Sequence, residues 1–426
     1  MLVFVFNKHG EQLMPCKPSK ARRLLKKNKA KIVKYNPFTI QLLYGSSGYK
    51  QDIKVGVDLG AKNIGIAIQS NNKVIAKGEI ELRTDVKSNL DTRRIYRSSR
   101  RNRKTRHRKP RFDNRKRKDN WLPPSIQSRI DNTFNWIDKF LMLLPKSKLN
   151  IEVGKFDIQK IMNPEIEGEE YQQGETYGYY NTRYYVFERD NYTCQVCKNK
   201  NKILQTHHII YRSKGGSDRP KNLITVCVDC HTHENHQKGN IFWEWMQKGK
   251  KVPRYKETPF MNTIRKEVFR KHPNVNLVYG SWTTPNRKAL GLEKTHFNDA
   301  LTVSNIQDGF IDKINIFKIK QFRKKKRSLH EANPRKGRKV PNTKAKRNKK
   351  NTVCSNGFNL NDKVKLFGQT GWISGFCQGG AYVKNIYDEY ITVPEKSYKQ
   401  VSFKYLTFVC HNNNWKFTTF ANSSHD

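Results

Sequence analysis

Two pairs of cysteines, Cys194 with Cys197 and Cys227 with Cys230, enclose the segment THHIIYRSKGGSDRPKNL in mid-chain. Each CxxC turn can offer two sulfurs to one ion at about 2.3 Å, so two such turns predict a closed, tetrahedral, structural Zn²⁺ site. This constrains the chain more than any hydrophobic pattern does, because everything between the knuckles has to fold around one ion. A bare ribbon of this kind can do no more than bind nucleic acid, with His207 and His208 packed beside the metal. The histidines between and after the knuckles, His207, His208 and His231, are where chemistry would reside. Cys16, Cys354, Cys377 and Cys410 have no paired spacing, and disulfides are not expected in a reducing compartment.

The 426 residues carry 84 Lys and Arg against 36 Asp and Glu, a formal net charge of +48, which calls for a polyanionic partner. With only 35% hydrophobic residues, several small cores separated by solvated basic segments are expected. A membrane surface is the competing partner for such charge, but no stretch approaches the roughly 20 apolar residues of a transmembrane helix. The opening MLVFVFNKHG is too short for a signal sequence, so a cytoplasmic, nucleoid-associated protein is expected.

Residues 53–68, IKVGVDLGAKNIGIAI, alternate around glycine and predict two strands of a hairpin with Asp58 inside the first. An acid in an apolar strand is costly to bury without a compensating partner. The same oddity recurs at Glu152 in LNIEVGKFD and at Asp299 in KTHFNDALTVS. Each alone reads as readily as a strand-end cap or a surface group. His296 precedes Asp299 by three residues, which puts both on one helical face, although a histidine at a helix start can also simply cap it.

Residues 93–118 hold fifteen Lys and Arg and one acid, without an apolar stripe. A free helix of this composition repels itself, whereas phosphates on several sides would turn repulsion into attraction through bidentate Arg contacts. Pro110 should end or kink it. A second basic run, 318–350, is broken by Pro, Gly and Asn and is expected to order only on nucleic acid.

The cysteine segment resembles the HNH nucleases, whose ββα-metal core has a DH or HH pair on the first strand, an Asn in the loop and a His or Asn on the helix. The matching residues are His207-His208, Asn222 and His231. The resemblance implies that His208 is the general base, that His207 and His231 hold one Mg²⁺, and that Asn222 fixes the loop. Many relatives carry Asp at the position of His207, and imidazole is a poorer Mg²⁺ ligand than carboxylate. His233 and His236 are expected on the same helix as surface groups.

The three acids resemble the split motifs of the RuvC-type RNase H fold, which implies that Asp58, Glu152 and Asp299 share two Mg²⁺ ions and that His296 orients or deprotonates water. Two ions about 4 Å apart would stabilise the attacking and leaving oxygens of a phosphodiester displacement. The order of RuvC part, Arg-rich helix, RuvC part, HNH and RuvC part is similar to the IscB family, transposon-encoded RNA-guided DNA nucleases related to ancestors of the type II CRISPR effectors. LMP at Leu13–Pro15 resembles that family's N-terminal PLMP motif, with Met14 in the core, and YGSWTTPNRKALGLEKTH resembles a run preceding its last acid.

The expected fold class is therefore α/β multidomain: an RNase H-like RuvC fold interrupted by an Arg-rich bridge helix and a zinc-stapled HNH module, with a small C-terminal β-barrel. The expected boundaries are an N-terminal PLMP-like domain at 1–51, RuvC parts at 52–84, 119–162 and 259–317, and a bridge helix at 85–118. The HNH domain occupies 184–241 between linkers at 163–183 and 242–258, followed by a basic RNA-binding linker at 318–355 and the barrel at 356–426. The resemblance implies guide RNA and target double-stranded DNA as partners of a monomeric ribonucleoprotein. Phosphate contacts are expected from Arg93, Arg94, Arg97, Arg100, Arg101, Arg103, Arg106 and Arg108, and from Arg22 and Arg23. The rival readings are an RNA-independent homing-type HNH endonuclease and a non-catalytic RNA-binding regulator of a transposon.

Overall fold

The computed structural model describes residues 1–45, 48–101, 121–154, 165, 175–249, 257–322, 353–412 and 414–421, without the side chains of 96 and 99–101. It divides into two compact units, Met1–Gly154 with Thr263–Asp426, and Lys155–Asn262. Arg103, Arg106 and Arg108 lie outside the described residues, as do most of the 163–183 linker and most of the second basic run. Among the described residues no helix is long and apolar enough to cross a membrane.

The first unit is organised by a seven-stranded mixed sheet in the order Asn276–Val278, Ser147–Glu152, Ile53–Leu59, Asn63–Ser70, Lys73–Glu81, Ile316–Gln321 and Trp415–Phe420. Ile53–Leu59 and Asn63–Ser70 form the expected hairpin, with Asp58 opposite Gly65. Alternation along Ile53–Leu59 buries Ile53, Val55, Val57 and Leu59 and sends Gly56 and Asp58 to the other face. That second face receives the helix His296–Val303. A Cβ at position 56 would stand 2.0 Å from Ala300 O, and one at position 65 would stand 1.8 Å from His296 O. Glycine at these two strand positions therefore lets helix backbone touch sheet backbone, which brings His296 and Asp299 down to the level of Asp58. Asn150 Nδ2 donates to Val303 O at 2.9 Å and Gln69 Nε2 to Ser304 O at 3.1 Å, fixing the end of the helix. The helix Pro124–Leu141 packs Phe140 on Phe317 with ring centroids 5.2 Å apart and Trp136 edge-on to Trp415 at 5.3 Å.

Several elements depart from the sequence expectation. WKFTTF falls within the expected C-terminal barrel at 356–426, but Trp415–Phe420 pairs antiparallel with Ile316–Gln321 and completes the large sheet. It covers what would otherwise be an open edge, a long-range pairing that local pattern does not encode. Ile316–Gln321 also carries strand structure past residue 317, into the start of the expected basic linker. The remaining C-terminal strands form an antiparallel sheet in the order Gln400–Ser402, Gly380–Lys384, Gln369–Cys377, Lys363–Leu366 and Thr407–Cys410, and its described pairings leave two edges rather than a closed barrel.

At the N-terminus a four-stranded sheet runs Gln12–Cys16, Val3–Phe6, Phe38–Leu42, Ala30–Tyr35. The LMP residues lie in the edge strand Gln12–Cys16. Alternation buries Leu13 and leaves Met14 half-buried, correcting its placement in the core. A basic helix spans Pro18–Lys26 and ends where Asn28 takes a left-handed φ of 51°, after which the chain continues as the strand Ala30–Tyr35. The Arg-rich helix is described over Val86–Arg101.

In the second unit, Leu204–His208 and Leu223–Cys227 form an antiparallel pair, preceded by the helix Thr182–Arg189 and followed by the helix Ile241–Lys248. This last segment was expected as linker. Instead Phe242 is fully buried in one cluster with Cys194, Val226 and Cys227. The expected helix carrying His231 is replaced by a turn and a short 3₁₀ segment, Glu234–His236.

Candidate functional sites

The four cysteine sulfurs lie within 4.8 Å of one another. Cys197 Sγ and Cys227 Sγ are 3.8 Å apart, close to the edge of a tetrahedron with metal–sulfur bonds of about 2.3 Å, so the set fits one Zn²⁺. Against the burial that would raise it, backbone N–H groups of Cys197, Cys227 and Val196 bring the Cys194 thiol down to about 7. Burial and the neighbouring sulfurs push Cys230 up to about 12.

Because adjacent strand residues face opposite ways, His207 and His208 serve two different environments. His207 is buried, stacked on Phe242 with centroids 4.1 Å apart, and its Nδ1 lies 3.2 Å from His231 Nε2. A third imidazole, His236, joins them, with ligand atoms of all three within 4.8 Å. His231 Nδ1 donates to Gln205 Oε1 at 2.6 Å and His236 Nδ1 to Thr232 O at 2.6 Å, so both rings present Nε2 to the cluster. Burial first, then His231, His236 and His208, hold His207 down to about 3, keeping it neutral and able to ligate. The set of three nitrogens suits a transition ion better than Mg²⁺, which prefers oxygen. His236, expected on the surface, is the ligand candidate that sequence reasoning missed. A histidine five residues after His231 is its only trace in the chain, and the 3₁₀ turn is what folds it back. His233 is exposed.

His208 turns the other way, with Nε2 2.8 Å from Asp218 Oδ1, which Arg212 Nε also contacts at 2.9 Å. Asn222 is buried: Oδ1 accepts from Ile210 N at 2.9 Å, and Nδ2 donates to Ile210 O at 3.1 Å and Ser217 O at 2.8 Å. It thereby ties together the two ends of the loop that follows His208.

In the large sheet, parallel pairing sets Asp58 directly beside Glu152. Thr295 caps the helix His296–Val303 by accepting from Asn298 N, so His296 is not needed as the cap. His296 Nδ1 lies 2.5 Å from Asp58 Oδ2, and this hydrogen bond raises its pKa. Asp299 pairs with a residue outside the expected set, Arg287, whose Nε stands 2.7 Å from Oδ1. Burial and then Asp58 push Glu152 up to about 7, against a hydrogen bond from Thr283. Glu152 Oε2 is buried without a hydrogen-bond partner. An orphaned oxygen among three crowded carboxylates is what a site for hard divalent cations presents before the ions arrive.

Arg93, Arg94 and Arg97 are exposed on the Arg-rich helix, and Arg22 and Arg23 on Pro18–Lys26. The backbone of Arg100 and Arg101 continues the first of these helices.

Comparison with known proteins matches residues 3–174 to the RRXRR protein family and residues 194–237 to the HNH endonuclease family. This combination fits an IscB-like or Cas9-like nuclease. The crystal structure of the Type II-C Cas9 enzyme from Actinomyces naeslundii overlays at a TM-score of 0.23 and 11% identity, covering 61% of this chain and 60% of that one. Anaredoxin from Nostoc sp. (strain PCC 7120 / SAG 25.82 / UTEX 2576) is 38% identical over 52 residues, which make up 12% of this chain and 66% of that protein. The chain thus spans less than two thirds of either of these relatives.

Proposed function

We propose that the chain is an RNA-guided double-stranded DNA endonuclease with two hydrolytic centres. The observation that carries this reading is the coexistence of an imidazole cluster in the HNH-matched segment with a second, carboxylate cluster of Asp58, Glu152 and Asp299 on the seven-stranded sheet. The RRXRR match and the exposed arginines of Val86–Arg101 support a role for guide RNA, whose phosphates would neutralise the basic helix.

At the HNH centre, with Nε2–H directed at Asp218, His208 keeps the Nδ1 lone pair to take a proton from water as general base. His207, His231 and His236 would hold the divalent ion, and Asn222 keeps the loop after His208 from swinging away. At the sheet centre, Asp58, Glu152 and Asp299 would hold two Mg²⁺ ions. Bound there, the ions would supply charge for the attacking and leaving oxygens of the phosphodiester. His296 orients water and accepts its proton once Asp58 is engaged elsewhere. We assign the guide-paired strand to HNH and the displaced strand to the carboxylate centre.

The test begins with protein expressed together with its native flanking DNA, washed at high salt, and sequencing of the RNA retained. A single structured RNA with a variable end is expected, and a random mixture of cellular RNAs would overturn guiding. With that RNA and a strand-labelled target, Asp58→Ala should abolish only the displaced-strand cut and His208→Ala only the paired-strand cut. Loss of both cuts from either change would refute the division of labour.

A further inference from the structure

The helix Gly280–Ala289 carries none of the three acids, yet one face of it serves two of them. Thr283, fully buried, bears on Glu152, whose pKa it lowers, while its own Oγ1 donates to Tyr279 O at 3.4 Å. One turn later Arg287, also buried, sets Nε 2.7 Å from Asp299 Oδ1 while its NH1 group donates to Leu292 O at 2.9 Å. Positions 283 and 287 are four apart and therefore lie on one stripe. At the helix start a Cβ on Gly280 would stand 3.2 Å from Glu152 Oε1, so the first turn runs close against that carboxylate.

Packing alone gives no reason for a guanidinium here. Burying one is costly unless a partner compensates it, and an apolar side chain would fill the space at less cost. Its position is explained by the acid it reaches. Asp58 is held from a different helix, by His296, so the third acid is fixed independently of this one.

We propose that Thr283 and Arg287 are positioning residues that align Glu152 and Asp299 for divalent cations, with Arg287 balancing one of three like charges. Arg287 occupies Oδ1 of Asp299 and leaves Oδ2 for an ion. Thr283 bears on Glu152, whose Oε2 remains unpartnered and buried. The proposal rests on the reading of the three acids as a divalent-metal centre.

The test compares Arg287→Gln, Arg287→Lys and Thr283→Val with Asp58→Ala. Mn²⁺ binding to the full-length protein is followed by electron paramagnetic resonance, and cleavage of both strands by the ribonucleoprotein is followed against Mg²⁺ concentration. Arg287→Gln should weaken the Mn²⁺ binding that Asp58→Ala removes by on the order of ten-fold. It should raise the Mg²⁺ requirement of the displaced-strand cut to match, with the paired-strand cut unchanged. Arg287→Lys should recover part of the loss, and Thr283→Val should shift both readouts in the same direction by less. Unchanged Mn²⁺ affinity and Mg²⁺ midpoint in Arg287→Gln would overturn the proposal. So would a joint fall of both cuts and of thermal stability in both Arg287 variants, which would make the residue structural only. If Asp58→Ala itself removed no Mn²⁺ binding, the metal-centre reading would fail, and the positioning role with it.

Discussion

The two candidate centres solve opposite electrostatic problems. In the four-cysteine module, the charged form of the imidazoles is disfavoured: His207 is pushed down to about 3 and His231 is also lowered, burial being the largest cause for both. In the large sheet, three acids crowd one another; burial and Asp58 raise both Glu152 and Asp299, while a hydrogen bond to Asp58 raises His296. The first centre is ready for a ligand-hungry transition ion without reorganisation, and the second is strained until cations arrive. Metal identity should therefore divide the two activities.

The largest expected effect breaks one side of the comparison outright. Structural zinc contributes on the order of 10 kcal/mol to small modules, and here Cys194 and Cys227 sit in the core beside Phe242. Stripping zinc should unfold residues 175–249 and abolish the paired-strand cut while leaving the large sheet intact. Hydrogen exchange resolved along the chain would show this, and equal loss of protection in Ile53–Leu59 would contradict it.

A second prediction sharpens the contrast through pH, using protein that retains zinc but holds no other divalent ion. A histidine folded near 3 refuses a proton that its unfolded form takes near 6.5, so the module should lose stability as pH falls from about 6.5. In the sheet the sign reverses. Glu152 folds with a value of about 7 against an ordinary 4.5, so stability falls as pH rises through that window. His296 acts in the same direction, its contribution present below 6.5 and lost as pH rises through its raised folded value. Hydrogen exchange corrected for intrinsic rates should find strands 53–59 and 147–152 better protected at pH 5 than at pH 8, and strand 204–208 the reverse. A common direction would refute the distinction, and Glu152→Gln should flatten the sheet's response.

The smallest effect is in metal choice. Replacing Mg²⁺ by Mn²⁺ should favour the paired-strand cut over the displaced-strand cut by several-fold, because three imidazoles bind Mn²⁺ better than Mg²⁺ while carboxylates accept either. An unchanged strand ratio would argue that His236 takes no part in metal binding.

The structure shows how differently the two centres were legible in the chain. The CxxC pairs, the HH dipeptide, Asn222 and His231 are compressed into fewer than fifty residues, where spacing nearly dictates geometry. Even so, a presumed helix concealed His236, because the 3₁₀ turn that folds it back carries no periodic signal. Asp58, Glu152, His296 and Asp299 were visible as acids and a histidine in improbable surroundings, whereas Arg287 was legible only as one position of the YGSWTTPNRKALGLEKTH run, with no partner or role attached to it.

By itself the sequence determined the four-cysteine cluster, the alternating strands and the basic partner-seeking segments, since each follows from neighbours close in the chain: ligand spacing, side-chain period and charge density. Only the tertiary structure decided that Trp415–Phe420 closes the large sheet, that Phe242 belongs to the zinc module's core, and that Thr283 and Arg287 stand against the acids. Those choices depend on which edges and faces remain uncovered once the local elements have formed, and on burial that makes an unpaired charge too costly to keep.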